Sequence, residues 1–172
     1  MGSQVMLRVE GVALMALGLS AFCGSTSVES VASKGDSKLK KNDDSVLTLP
    51  SAHTHAETVK RFKALLADKG VRLFAEIDHS AEAKQVGQAL RPTLVLIFGN
   101  PKAGTPLMQS KQTIGLDLPL RVLVWEDDRA KVWLTYSPVA NLTQRHQVTD
   151  RDEVAKTLDA VLTGLARDAT AP

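Results

Sequence analysis

The chain has 172 residues, 44% of them hydrophobic and 23% charged, with a formal net charge of +2. That is one globular domain plus an extension, and so small a charge, with only four Phe, two Trp and one Tyr, excludes a basic nucleic-acid surface with interleaved aromatics. Cys23 is the single cysteine, so an internal disulfide and a Cys-x-x-Cys zinc or redox pair are excluded as well.

Gly11 to Phe22 is an unbroken apolar or small-residue run. It is too short for a membrane-spanning helix, which needs about 20 residues, and it matches the core of a secretory signal peptide behind Arg8. Residues 1–23 are therefore expected to be a signal, the alternative being an anchoring or buried helix left in place. Cys23 stands where a lipoprotein carries its lipidated cysteine, but Phe22 occupies a position where a small residue is expected, so a removed signal is the preferred account. The expected location is exported, periplasmic or envelope-associated, with no stable transmembrane span. Residues 24–51 are polar, with a charge run from Lys38 to Asp44, and are expected to be a flexible linker. The folded domain is expected over residues 52–172.

Thr54-His55-Ala56-Glu57 has capping-box spacing. Val59, Phe62, Leu65 and Leu66 then share one helical face, and Gly70 is placed to close the helix in a left-handed turn. From Val71 to Asp78 apolar and polar residues alternate as in a strand. Ser80 is expected to cap a second helix with Ala83, Val86, Gly87 and Leu90 as its inner stripe. Leu94 to Phe98 is apolar throughout and reads as an interior strand. Thr105-Pro106 predicts an N-cap and first helical position, opening a short helix to about Gln112. Leu120 to Trp125 and Val132 to Tyr136 alternate around Asp127-Asp128-Arg129 and read as a hairpin. Ser137-Pro138 predicts a short helix to about His146. Asp152 and Glu153 open a last helix with Val154, Leu158, Val161, Leu162 and Leu165 on its buried stripe. The expected class is α+β, a small mixed or antiparallel sheet of about four strands with helices on one face.

Gly99-Asn100-Pro101-Lys102-Ala103-Gly104-Thr105-Pro106-Leu107-Met108, the string Asp117 to Asp127, and Lys131 to Tyr136 resemble the domain of unknown function 302 family. Ile77-Asp78-His79, Ala83, Gly87 and the Thr58-Val59 helix are similar too, so the resemblance covers about Thr54 to Leu165. Lys111-Gln112 departs from it, because many relatives carry proline there. The resemblance implies a compact α+β domain, often a dimer, and no settled activity.

The residues leave several chemistries open. Asp78-His79 is either a general acid/base pair or a polar pair at a helix start. His53-x-His55 can place two rings on one side of an extended segment, but with no thiol cluster an incidental pair is preferred and no metal is expected. The Gly99–Thr105 loop can cradle an anion on backbone amides or serve only as a tight connection. The expected function is thus a non-catalytic small-ligand-binding or structural module without a cofactor. His79, Asn100, Lys102, Gly104, Thr105 and Tyr136 are the candidate ligand residues for a small-molecule or anionic ligand. The alternative is an enzyme in which His79 works beside the Gly99–Met108 loop with Lys102 and Tyr136. A homodimer is expected because helices can cover only one face of so small a sheet.

Overall fold

The computed structural model describes residues 46–172. The expected signal, Cys23 and most of the expected linker lie outside the described residues. The elements are β1 (Leu47–Pro50), α1 (His55–Asp68), β2 (Arg72–Asp78), α2 (His79–Gln85), β3 (Thr93–Gly99), α3 (Pro101–Ser110), a 3-10 turn (Gln112–Leu116), β4 (Leu120–Glu126), β5 (Val132–Tyr136), α4 (Val139–His146) and α5 (Asp152–Thr170). The described strands form one antiparallel sheet in the order β1-β5-β4-β3-β2. The α+β class holds, with five strands instead of about four.

The extra strand is β1, which corrects the linker boundary. Leu47 and Leu49 alternate with Thr48 and Pro50, and Leu49 packs against the core. Four residues of alternation vanish in a polar average taken over 24–51. A short strand ending in Pro suits an edge.

One face of the sheet is buried under helices. Leu96 and Phe98 of β3, Leu120, Val122 and Val124 of β4, and Val132, Leu134 and Tyr136 of β5 are all buried there. Phe62 and Leu66 of α1 meet them, with the Phe62 and Phe98 rings edge-on at 5.2 Å. Leu162, Leu165, Ala166 and Ala169 of α5 complete the core. Val161 sits on the rim of that helix at 37% exposure rather than inside it. The C-terminus of α5 is tied down by side chains from near α1. Arg61 Nη2 donates to the Asp168 and Ala171 carbonyls, and His53 Nε2 donates to the Ala171 carbonyl at 2.7 Å. A cation at a helix C-terminus also meets the negative end of its dipole.

Thr54 caps α1 by accepting from the Glu57 amide, and Gly70 follows at φ +62°, as its sequence position implied. The second helix differs from expectation. Its cap is Asp78, whose Oδ1 accepts from the Ser80 and Ala81 amides, not Ser80. It runs for seven residues, buries none of them, and is followed by Gly87 at φ +73°. Val86 and Leu90 are exposed at 71% and 49%. The stripe failed because a glycine in the left-handed region ended the helix before the stripe could form.

Candidate functional site

The third helix starts five residues earlier than Thr105-Pro106 suggested. Asn100 is the N-cap, Pro101 is the first helical residue, and Pro106 lies inside α3. Asn100 is a better cap than Thr, and proline at the first position has no amide to leave unpaired. The shift decides what this segment can bind. The Lys102 amide donates to Asn100 Oδ1, and the Ala103 and Gly104 amides donate to the Asn100 carbonyl. Pro101 has no N–H. The first turn therefore holds no spare amide for an anion, and the cradle expected at Gly99–Thr105 is closed by its own cap.

The segment instead walls an apolar cavity of about 200 Å³. Phe74 and Gly99 form the sheet side, and Pro101, Gly104, Thr105 and Met108 the helix side. Leu118, Pro119 and Leu120 close it from the approach to β4, Leu158 of α5 adds a wall, and Asn100 sits at its edge. None of these side chains titrates. Two features open the space. The β2 register shifts between Leu73 and Ala75 opposite β3, a bulge that sets Phe74 out of the regular alternation. Gly104 leaves room toward Leu118, whose Cδ1 lies 3.7 Å from where a Cβ would stand.

The candidate residues divide accordingly. Asn100, Gly104 and Thr105 come together at the cavity. Lys102 is exposed and not part of its wall. Tyr136 is buried in the core at 3% exposure, its hydroxyl 3.3 Å from Thr163 Oγ1. His79 stands at the other end of the β2–β3 pair. Asp78 pairs with Leu94 while Arg72 pairs with Gly99, which separates His79 from the loop by about 20 Å at roughly 3.3 Å per residue. The proposed convergence of His79, Lys102 and Tyr136 does not occur. Asp78 serves the helix start: hydrogen bonds from the Ser80 hydroxyl first, then the Ala81 amide, hold its carboxyl below the usual range. His53 and His55 do not face one ion either. His55 Nε2 donates to the Val124 carbonyl at 3.1 Å, while His53 Nε2 is engaged by a different carbonyl, that of Ala171.

A second polar cluster escaped the sequence. Asp117, between the 3-10 turn and β4, is 8% exposed. Its Oδ1 accepts from Arg121 Nη2 at 3.2 Å, and its Oδ2 accepts from Arg145 Nη1 and His146 Nε2, both at 2.8 Å. Since Nε2 donates to the carboxylate, a neutral His146 ring accepts at Nδ1 from the Thr113 hydroxyl, 3.2 Å away. Burial works against the Asp117 charge, but hydrogen bonds from His146 and Arg145 outweigh it and hold the carboxyl below its usual range. The Asp117–Arg121 spacing of four was a weak local signal. The Arg145-His146 pair arrives from α4, and no local pattern reveals it.

The opposite face of the sheet carries none of the buried core residues among the described residues. Val95 and Ile97 of β3, Leu123 and Trp125 of β4, and Trp133 of β5 are half-buried there. Trp125 and Trp133 sit opposite each other in register, rings 6.2 Å apart and 22° from parallel. Their indole N–H groups are satisfied by Thr135 and Asp127. Among the described residues no helix is long and apolar enough to cross a membrane.

Comparison with known proteins agrees with this architecture. A crystal structure of an uncharacterized conserved DUF302 protein from Bacillus stearothermophilus superposes with a TM-score of 0.67 at 15% identity, covering 73% of this chain and 98% of that one. It shares the fold. Proteins named fluoride-specific ion channel FluC 1, from Brucella suis biovar 1 and Brucella abortus biovar 1, are each 48% identical over 122 residues. The match takes in 71% of this chain but only 47% and 44% of theirs, so this chain spans about half the length of those relatives. The model of the domain of unknown function DUF302 matches residues 47–165, from the edge strand to the last helix, and the chain belongs to that family.

Proposed function

We propose that this is an exported, non-catalytic binding module whose ligand site is the apolar cavity beside α3. The observation that carries it is the cavity itself: about 200 Å³, walled by Phe74, Pro101, Met108, Leu118, Pro119 and Leu158, with no titratable group on its wall. The cavity is half-open, with Phe74 exposed at its rim, and it is smaller than drug-sized pockets, which begin near roughly 300 Å³. The occupant is then a compact apolar group, a single ring or a short branched chain, oriented by Asn100 and Thr105. Export is supported by the sequence pattern of residues 1–23. The Brucella relatives add an association with a membrane protein. Conduction in a channel needs membrane-crossing elements, and no described helix here can supply one. The role proposed for this domain is that of a companion to such a protein.

The test is a screen of the purified protein against small aromatic and branched aliphatic compounds, read by thermal shift and by the Met108 methyl resonance. Binding at the cavity moves that resonance saturably and raises the melting temperature. If no compound class perturbs Met108, the cavity is only a packing defect and the module is structural.

A second reading concerns the open face of the sheet. Leu123, Trp125, Trp133, Val95 and Ile97 share that face and are half-buried, and the occupant proposed for it is a two-fold copy of the same sheet. Sedimentation equilibrium at micromolar concentration reads this directly. A dimer that Trp125→Lys shifts to monomer supports it; monomer mass for the unaltered protein removes it.

A further inference from the structure

We propose that Arg121 and Arg145, pinned side by side on the buried Asp117 carboxylate, form a receptor for a small oxyanion such as phosphate or a carboxylate. It is a site separate from the apolar cavity and independent of what that cavity binds.

Charge accounting is the first reason. Two guanidinium groups are always protonated, and they share a single carboxylate. Two guanidinium groups against one carboxylate leave one uncompensated positive charge. Asp150, the acid nearest Arg145 in sequence, is engaged by the Ser110 hydroxyl and by Arg151. Among the described residues, the hydrogen bonds of both guanidinium groups go to Asp117.

Geometry is the second reason. Asp117 is 9% exposed at its side chain, while Arg121 and Arg145 are 54% and 53% exposed. The anchor is inside and the donors are at the surface. Each guanidinium has five N–H donors in a rigid fork, and each gives one bond to Asp117. Most donors stay available to a ligand, yet the groups have already lost much of the freedom that binding would otherwise remove. The two arginines come from different elements, β4 and the last turn of α4. Three donors on one carboxylate, His146 included, hold those elements in register. Fork-shaped donors match the oxygen spacing of carboxylate and phosphate. A bound oxyanion also relieves the repulsion between two like charges fixed on one anchor.

The decisive experiment titrates the full protein at low ionic strength with inorganic phosphate, acetate and, as control, chloride. It follows the arginine Nε–H and His146 ring resonances. Saturable shifts are expected for phosphate and acetate, beyond those chloride causes at equal ionic strength. Arg121→Gln and Arg145→Gln should each weaken phosphate binding at least tenfold while the far-ultraviolet circular dichroism stays unchanged. Arg145→Lys separates a built site from diffuse attraction: it keeps the charge but loses the fork, so a built site weakens several-fold and a diffuse field does not. Vesicles of phosphatidylglycerol, compared with phosphatidylcholine, tell a lipid headgroup from a free anion as the source. The proposal is overturned if phosphate and acetate behave like chloride, or if both glutamine variants bind phosphate as the unaltered protein does.

Discussion

The β2–β3 pair has two ends, and they are opposites. At one, Asp78-His79 offers reactive side chains, but α2 buries nothing and Val86 and Leu90 stand in water. At the other, Gly99 and Asn100 lead into α3, and α5 and the approach to β4 close over an apolar space with no titratable wall. Among the described residues, the end with the titrating side chains has no apolar cavity beside it, and the end with the half-open apolar cavity has no titrating side chain on its wall. The structure therefore keeps the titrating Asp78-His79 pair apart from the apolar cavity by the length of the β2–β3 pair.

The largest contrast between the ends is in packing. Phe98 is 1% exposed and sits edge-on to Phe62, so Phe98→Ala should cost about 3–5 kcal/mol in denaturant unfolding. Val86→Ala at the other end should stay within about 0.5 kcal/mol. Equal costs would mean that the α2 end is covered by something the described residues do not include.

Next comes the charged anchor flanking the enclosed end. Asp117→Asn leaves two arginines without their carboxylate. Because both guanidinium groups are half-exposed and rehydrate, the expected cost is roughly 2–3 kcal/mol at neutral pH, below the range for a fully buried pair. The pH dependence has a definite sign. The folded-state carboxyl is depressed below its usual value near 3.8, so its stabilisation is complete above about pH 4–5 and lost as pH falls through the lower folded value. The asparagine variant should be less stable at pH 7, and this part of its acid sensitivity should be absent. Parallel stability curves for the two proteins below pH 4 would contradict that.

Much of this fold was legible because it follows local rules. Thr54 and Gly70 bracket α1, and the alternation of Leu120–Trp125 with Val132–Tyr136 is the β4–β5 hairpin. Asn100 displaced the expected Thr105 as the cap: it stands five residues, about one and a half turns, earlier, and Asn-Pro meets the cap and first-position preferences better than Thr-Pro does. Asn100, Gly104 and Thr105 were singled out by the Gly/Pro/Asn composition of their segment, and the structure brings these three together at the cavity. The cavity's other walls, Phe74, Leu118 and Leu158, come from three distant segments, and only tertiary packing assembles them. The Asp117 cluster was missed for the same reason: Arg145 and His146 reach it from 28 and 29 residues away.

Gly104 sharpens the view of the enclosed end as a binding space. It lies inside α3, where glycine costs about 0.5–1 kcal/mol relative to alanine. Its added Cβ would rest 3.7 Å from Leu118 Cδ1, an ordinary contact. Gly104→Ala should therefore stabilise the fold by about 0.5–1 kcal/mol while removing part of the cavity. Weaker binding of any cavity ligand alongside higher stability is the expected pair of results. Tighter binding would place the ligand elsewhere.

The smallest expected effect falls on the most reactive-looking residue. His79 is exposed, makes no hydrogen bond with the described residues, and is separated from the cavity by the length of β3. The helix start beside it is satisfied by Asp78 through the Ser80 and Ala81 amides, so the imidazole is not needed as a cap. His79→Gln keeps a polar side chain of similar length and removes only the titrating ring. Stability should change by less than about 0.5 kcal/mol, as for surface positions outside any network, and cavity ligands should bind as before. The contrast is with Asp78→Ala on the neighbouring residue, which removes an N-cap and should cost about 1 kcal/mol. Two adjacent residues with such unequal effects would show that this end of the sheet uses its polar groups to build a helix start. A His79→Gln variant that lost ligand binding would instead bring the acid/base reading back, and with it a geometry in which α2 folds toward α3.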